Sequence, residues 1–320
     1  MGKRVETMLA VLNGTIGDYL ARTGNGLATP MELVVRGVPV PPRRAALRET
    51  LPDATGRVVV LVHGLMCTET VWTLPDGSDY GTRLGQDRGY TPLYVRYNSG
   101  LAIADSGAAL SRLLDALVAE APVPVEELML LGFSMGGLVI RSACHEASFG
   151  ESRWLPLVRR AIYVGTPHLG APYERLGRFA ARVLSAVDNP YTQLVADIAN
   201  LRSAGVQDLG DADLRHEDRT DKTVVRLRDW RHPVPLLPQI QHYLVAGALS
   251  SEPWLAALFG DAVVPVASAT AHATRSAPRG DGIPGEHLKI VPGVAHMGLA
   301  HHLGVYEIIR AWCGGSGGAG

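Results

Sequence analysis

Apolar and polar positions follow two alternating patterns along most of the chain. Short apolar runs, such as VVVLV at 58–62, are typical of strands buried on both faces of a sheet. Apolar residues at every third or fourth position, as in 103–120, predict helices that bury one face. The predicted strands are 58–62, 92–97, 127–133, 161–164, 243–246 and 288–291, and the predicted helices in this part are 103–120, 135–148 and 303–312. Strands that alternate with helices predict an α/β fold with a mostly parallel central sheet and helices on both faces.

The first fifty residues show a different pattern. Residues 5–20 place their apolar side chains on one helical stripe, which predicts a helix packed on the body. A helix that binds a membrane or a partner is the alternative. Prolines and a glycine within 41–56 predict a linker. Residues 1–50 are therefore expected to form a helical extension and linker ahead of the main domain.

The alternation of strands and helices stops between residues 172 and 238. Two segments, 172–187 and 190–203, each carry one apolar stripe, and a loop rich in both charge signs follows at 208–231. This pattern predicts a helical cap, or lid, spanning 172–238 and inserted between two core segments, 51–171 and 239–313. An ordinary packed insertion without gating is the alternative. The glycine-rich tail at 314–320 is expected to be flexible.

Composition excludes several classes of function. Thirty Lys and Arg against 31 Asp and Glu give a net charge of −1, so there is no basic excess for nucleic acid or anionic lipid. Three widely spaced cysteines argue against a disulfide framework or a zinc site. No apolar run approaches the ~18 residues of a membrane span, and no signal-peptide cleavage site is visible. These features predict a cytoplasmic protein, with peripheral membrane attachment as the alternative.

The strongest chemical motif is GFSMGG at 132–137, which matches G-x-S-x-G between a predicted strand and a predicted helix. In that context a sharp turn projects the Ser134 hydroxyl into a cleft, and glycines on both sides prevent a clash. The helix that follows points its N-terminus at the site and favours developing negative charge. Ser134 is therefore the predicted nucleophile.

A serine nucleophile needs hydrogen-bond donors for the oxyanion of its tetrahedral intermediate. The backbone N–H of Met135, directly after the nucleophile, is one expected donor. The other is the backbone N–H of Leu65, which follows His63 and Gly64 at the end of the 58–62 strand. His63 is interpreted as a residue that shapes this loop rather than as the catalytic base.

The catalytic base is predicted to be His296. It follows the 288–291 strand and precedes the last helix, in a strand-end loop where catalytic groups of open α/β sheets gather. His301 and His302 are rivals, but both fall at the start of the last helix and are expected to face solvent. His287 precedes its strand and is expected at the opposite sheet edge.

The orienting acid is predicted to be Asp261, in the turn GDAVVP at 260–265. Asp281, in a loop rich in glycine and proline, is the rival. The order Ser134, Asp261, His296 is the order in which α/β-hydrolases carry their triad.

With these motifs in sequence, the chain resembles the α/β-hydrolase superfamily, of the serine esterase/lipase type. The run GTPHLGA at 165–171 is similar to a segment of bacterial triacylglycerol lipases and of inositol-deacylase-like lipases. The resemblance covers 58–312 and implies an α/β-hydrolase fold and hydrolysis of a carboxylic ester through an acyl-enzyme. An acyltransferase with the same triad is the alternative, and a non-enzymatic binding protein of this fold is a further one.

Substrate contacts are expected from His168 and, if the insertion covers the site, from Phe179 and Leu194. Packing is the alternative for His168, and Cys67 is interpreted as a small apolar filler. No cofactor or metal is expected, although Asp208, Asp211 and Asp213 would be the candidate ligands for a structural calcium. The expected partner is a small-molecule or lipid ester, and the oligomeric state is left open.

Overall fold

A computed structural model describes residues 3–168, 203–211, 234–248 and 283–314. Eight strands form one sheet in the spatial order β2-β1-β4-β3-β5-β6-β7-β8. The strands are β1 (Glu32–Val35), β2 (Val38–Val40), β3 (Arg57–Val62), β4 (Thr91–Arg96), β5 (Glu127–Phe133), β6 (Val158–Val164), β7 (Gln241–Ala248) and β8 (Leu288–Pro292). The six strands from β4 to β8 in this spatial order run parallel. The predicted mostly parallel sheet is thus confirmed.

Helices cover both faces of the sheet. They are α1 (Lys3–Arg22), α2 (Arg44–Thr50), α3 (Tyr80–Arg88), α4 (Ile103–Glu120), α5 (Met135–Ala147), α6 (Ala204–Asp211) and α7 (Leu303–Trp312). Leucines of α4 and α5 belong to the apolar cluster on one face, and α3 and α7 contribute to the cluster on the other. Within the described parts of the chain, no helix combines the length and apolarity needed to cross a membrane.

The central strands are buried on both sides, which explains their uninterrupted apolar sequences. In β3, Val58, Val60 and Val62 pack into the cluster that contains α4 and α5. Val59 and Leu61 point the other way, into the cluster that contains α3 and α7. Successive side chains of a strand point to opposite faces of the sheet. A strand that is buried on both faces therefore needs apolar residues at every position.

The N-terminal region differs from the sequence prediction, because part of it belongs to the sheet. Residues 1–50 were expected to form a helical extension and linker, yet β1 pairs antiparallel with both β2 and β4 and widens the sheet. The 41–56 segment contains α2, whose Leu47 is completely buried. The predicted helix at 5–20 is present as α1, with a break in helical geometry at Ile16.

Most of the predicted insertion lies outside the described residues, and so do the predicted helices at 172–187 and 190–203, apart from Ser203. Within the charged segment expected as a loop from 208 onward, residues 208–211 belong to α6. The expectation of a cap over the site therefore stays a prediction.

The parallel strands bring their carboxyl ends to one edge of the sheet. β3 and β6 flank β5, and β8 follows beyond β7. The loops that follow β3, β5, β6 and β8 are the segments that carry Leu65, Ser134, Gly165 and His296.

Candidate active site

Ser134 occupies a strained turn between β5 and α5. Its backbone has φ 52 and ψ −123, a region that non-glycine residues rarely adopt. The Ser134 N–H donates to the Val164 carbonyl of β6 at 2.8 Å, which fixes the turn to the neighbouring strand. The side chain is buried, with 5% of its surface exposed. The predicted nucleophile therefore lies at a sharp strand-to-helix turn.

Glycines on either side of Ser134 are required by close backbone approaches. A Cβ on Gly136 would lie 2.3 Å from the Val62 carbonyl oxygen, at the end of β3. A Cβ on Gly132 would lie 2.6 Å from the Cα of Gly137. No real Cβ tolerates such distances, so the strand-to-helix turn needs glycine at both positions.

His296, the predicted base, contacts Ser134 directly. Its Nε2 lies 2.9 Å from the Ser134 Oγ, within hydrogen-bond distance, and the side chain is buried. The Phe133 ring packs on the imidazole, with ring centroids 5.1 Å apart. Gly165, with φ +61, also leaves so little room that a Cβ would lie 3.1 Å from the His296 Cε1. Phe133 and Gly165 therefore hold the imidazole against the serine.

The two predicted oxyanion donors belong to segments next to Ser134. Gly64 approaches Ser134 so closely that a Cβ there would lie 3.0 Å from the Ser134 Cβ. Leu65 follows Gly64 and is buried, and Met135 is the first residue of α5. Neither the Leu65 nor the Met135 N–H donates to a described residue. Amides without an acceptor at a helix N-terminus and in a neighbouring loop are available to bind an anion, so Leu65 and Met135 remain the predicted oxyanion donors.

His63 is built into the loop rather than into the reacting centre. Its ring stacks on Tyr97 at a centroid distance of 4.5 Å and is fully buried. Nδ1 lies 2.8 Å from the Gly64 carbonyl oxygen, and the Tyr97 N–H donates to Nε2 at 3.4 Å. Burial lowers the pKa of His63 to about 4, so the ring is neutral at pH 7. These contacts agree with a loop-shaping role.

An ion pair between a buried Glu69 and a half-buried Arg96 fixes the chain that follows the loop after β3. Glu69 lies in a short 3-10 helix (Glu69–Trp72), and its carboxylate accepts from Arg96 at the end of β4. Glu69 is 7% exposed, so each charge of this pair depends on the other for its stability.

Cys67 and His168 have surroundings that favour packing roles. The half-buried Cys67 donates its Sγ–H to the Leu65 carbonyl, and burial raises the pKa of its thiol to about 12. A protonated thiol is a poor nucleophile. The buried His168 packs edge-on against Tyr163, with Nδ1 3.1 Å from an Arg141 nitrogen. Burial, with Arg141 as the next cause, lowers the pKa of His168 well below its usual value.

The rival histidines lie away from Ser134. His302 is exposed and its Nδ1 accepts from the Gly304 N–H at the start of α7. The half-buried His301 ends the 3-10 helix that begins at His296. His287 lies before β8, with Nδ1 3.2 Å from the His242 carbonyl oxygen at the opposite edge of the sheet.

Several predicted site residues lie outside the described residues: Asp261, Asp281, Phe179, Leu194 and Asp213. Of the candidate calcium ligands, Asp208 is buried, and its Oδ2 accepts from the Ile103 N–H at the start of α4. Across residues 3–168, 203–211, 234–248 and 283–314, no group of three or more His, Cys, Asp or Glu side chains is arranged to hold a metal ion.

Sequence reasoning missed the supports of the site. Phe133 and Gly165 each belong to a recognised motif, yet no residue pattern indicates that both contact His296. Their sequence distance from His296 exceeds 100 residues, so only the folded arrangement of β5, β6 and the loop after β8 reveals the contact.

Solved structures of similar architecture include a lipase. The chain superposes on the mature form of the Bacillus licheniformis lipase BlEst2 with a TM-score of 0.52 and 17% identity, covering 89% of this chain and 99% of that one. For the propeptide form the TM-score is 0.50 and the identity 16%, with 84% of this chain and 52% of the other covered. This chain thus spans about half the length of the propeptide form. No protein-family model matches the chain, and no curated protein sequence matches it either.

Proposed function

We propose that this protein, which has the α/β-hydrolase fold, is a serine hydrolase of carboxylic esters. The observation that carries the proposal is the 2.9 Å distance between Ser134 Oγ and His296 Nε2, with the serine held in a strained turn. A buried serine paired with an imidazole, next to two unsatisfied backbone amides, has the parts needed for acyl transfer.

In the first half-reaction the Ser134 oxygen attacks the ester carbonyl carbon while His296 Nε2 accepts the hydroxyl proton. The carbonyl oxygen becomes an oxyanion, and the N–H groups of Leu65 and Met135 donate to it. Collapse of this intermediate breaks the bond to the alcohol oxygen. His296 gives its proton to that oxygen, and an acyl-enzyme remains on Ser134.

In the second half-reaction a water molecule replaces the alcohol. His296 accepts one proton from the water as the water oxygen attacks the acyl carbon. Collapse breaks the bond to Ser134, the serine oxygen recovers the proton from His296, and the acid leaves. Asp261 is the proposed partner that holds the imidazole in the tautomer with Nε2 free to accept.

The proposed substrates are esters with an apolar acyl chain. Support comes from the apolar stripes of the 172–187 and 190–203 segments, which follow the loop after β6 directly. Stripes of this kind must bury against another surface, and an acyl chain bound beneath them would extend that surface. The Bacillus licheniformis neighbour is described as a lipase, which agrees with such a substrate.

The test compares Ser134→Ala with Ser148→Ala, which removes an exposed serine at the end of α5. Ester hydrolysis and labelling by a fluorophosphonate probe should be lost only in Ser134→Ala, by a factor on the order of 10⁴ to 10⁶ in rate. Labelling of folded Ser134→Ala at the wild-type level would contradict the proposal. Transfer of the acyl group to an added alcohol in place of water would assign an acyltransferase instead.

A further inference from the structure

We propose that α1 is a positioning element for the oxyanion hole, acting through the contact of Gly14 with Met66. The inference rests on the proposed function, since it concerns the Leu65 amide of that site. Met66 directly follows Leu65, so a shift of Met66 rotates the peptide groups that orient the Leu65 N–H.

Met66 is a constrained residue. Its φ of +58 lies in the left-handed region, which costs a residue with a side chain more than it costs glycine. The side chain is 4% exposed, and the Met66 N–H donates to Ser99 Oγ at 3.0 Å. Such a conformation persists only where the surroundings determine it.

The surroundings of Met66 include α1. A Cβ on Gly14 would lie 2.3 Å from the Met66 Cγ and 3.1 Å from its backbone nitrogen. The helix backbone thus rests directly on the residue after the oxyanion donor, and only a glycine at position 14 permits this approach.

The loop that follows β4, residues 97–102, joins the same assembly. Asn98 Nδ2 donates to the Gly17 carbonyl of α1 at 2.8 Å. A Cβ on Gly100 would lie 2.1 Å from the Asn13 carbonyl oxygen, so the loop backbone touches the helix backbone. Because this loop also carries Ser99, the partner of Met66, α1 contacts Met66 directly and also fixes its hydrogen-bond acceptor.

Residues at and just before the start of α6 form hydrogen bonds with α1. Ser203 Oγ donates to the Gly14 carbonyl at 2.8 Å, and the Ala204 N–H donates to Asp18 at 3.2 Å. The Gly205 N–H donates to the Gly100 carbonyl at 3.1 Å. The start of α6 therefore forms hydrogen bonds with both α1 and the 97–102 loop. These bonds restrain the two segments that contact Met66.

An oxyanion hole works through donors that are oriented before the charge develops. Loss of the α1 contact is therefore expected to slow the chemical step, with little effect on the binding of the intact ester. This distinguishes positioning from a general contribution of α1 to folding.

The test is Gly14→Ala, with Gly26→Ala as the matched control because a Cβ at Gly26 would meet nothing within 4 Å. For a short-chain p-nitrophenyl ester, kcat should fall by roughly 10- to 100-fold in Gly14→Ala, while KM stays within about threefold. Inhibition by an alkyl boronic acid, which mimics the tetrahedral intermediate, should weaken by a similar factor. Gly26→Ala should match the wild type.

A second substitution tests whether Met66 transmits the effect. In Gly14→Ala/Met66→Gly, the side chain nearest to the new methyl is absent and glycine adopts the positive φ without strain, so kcat should recover at least tenfold over Gly14→Ala. An unchanged kcat in folded Gly14→Ala, or no recovery in the double variant, would overturn the proposal.

If Gly14→Ala does not fold, Ser99→Ala removes the acceptor of the Met66 N–H instead. Its matched control is Ser106→Ala, a buried serine whose Oγ has no hydrogen-bond partner among the described residues. We expect kcat to fall about tenfold in Ser99→Ala only, and equal kcat in the two variants would overturn the proposal. A wild-type protein that neither hydrolyses esters nor reacts with the fluorophosphonate would instead refute the proposed function itself.

Discussion

Gly64 and Ser134 lie in direct contact across the carboxyl ends of two neighbouring strands, so that a Cβ on Gly64 would stand 3.0 Å from the Ser134 Cβ. The same Cβ would lie 3.2 Å from the Phe133 carbonyl oxygen. The loop that carries the proposed oxyanion donor therefore packs against the turn that carries the proposed nucleophile. The absence of a side chain at Gly64 makes this close packing possible.

Gly64→Ala is expected to separate the Leu65 amide from the nucleophile. The added methyl has to move the loop or the turn, and a misplaced oxyanion donor costs about 10²- to 10³-fold in kcat. The measurement is kcat for a p-nitrophenyl ester, with Gly150→Ala as control because a Cβ there meets nothing within 4 Å. Activity of Gly64→Ala equal to that of the control would place the oxyanion donors elsewhere.

The proposed base and acid are tested by His296→Ala and Asp261→Asn. His296→Ala is expected to be nearly as damaging as Ser134→Ala, because the serine then has no proton acceptor. Asp261→Asn should cost less, since solvent or a neighbouring group partly replaces the orienting carboxylate. The measurement is kcat/KM, with Asp281→Asn as the comparison. Loss of activity in Asp281→Asn, and not in Asp261→Asn, would assign the acid to Asp281.

Three buried histidines make the fold sensitive to acid. Burial lowers the pKa of His63 and of His242 to about 4, and that of His168 well below its usual value. The unfolded chain therefore takes up these protons first as pH falls. For His63 and His242 this stability is complete above about pH 6.5 and is lost as pH falls towards 4, and His168 acts in the same direction.

Urea unfolding at pH 7, 6, 5 and 4 measures this dependence. His63→Gln should lower the free energy of unfolding at pH 7 yet reduce its slope between pH 6.5 and 4, since one of the titrating groups is gone. The same replacement at His301, which lies outside the buried set, is the control. An unchanged slope in His63→Gln would show that His63 does not contribute to acid unfolding.

The predicted lid is tested by chain-length preference. If Phe179 and Leu194 line the acyl site, polar substitution of both should flatten the preference for longer acyl chains and leave acetate ester hydrolysis intact. Each buried methylene contributes roughly 0.8 kcal/mol, so two carbons correspond to about a tenfold change or more in kcat/KM. The measurement is kcat/KM for C2 to C12 esters. An identical profile in the folded double variant would remove the lid from the proposal.

The sequence predicted the elements whose signal is local. α4 begins and ends where the periodicity of 103–120 does, and β5 covers the predicted 127–133, because each is long and apolar on a regular repeat. β1 and β2 were not predicted. They are four and three residues long. β2 pairs with β1, and β1 is joined to the sheet by pairing with β4, some sixty residues away. Strand pairing across such a distance has no local pattern.

In the candidate site, too, residues with a local sequence signal were predicted, and contacts between distant residues were not. Ser134 was recognised because the turn around it requires glycines at fixed spacing, and His296 because it follows a strand. The contact between Gly14 and Met66 was not predicted, since the two residues lie more than fifty positions apart in the chain. A glycine within an amphipathic helix carries no sign of the surface that approaches it.

The strained backbone of Ser134 costs stability, while the proposed reaction needs the serine side chain at this position. With φ +52, a glycine at this position would relieve roughly 1–3 kcal/mol of backbone strain and leave the fold intact. A population screened only for thermal resistance would therefore accumulate glycine here and lose the proposed nucleophile. Under the proposed function, serine at this position costs stability that the reaction requires.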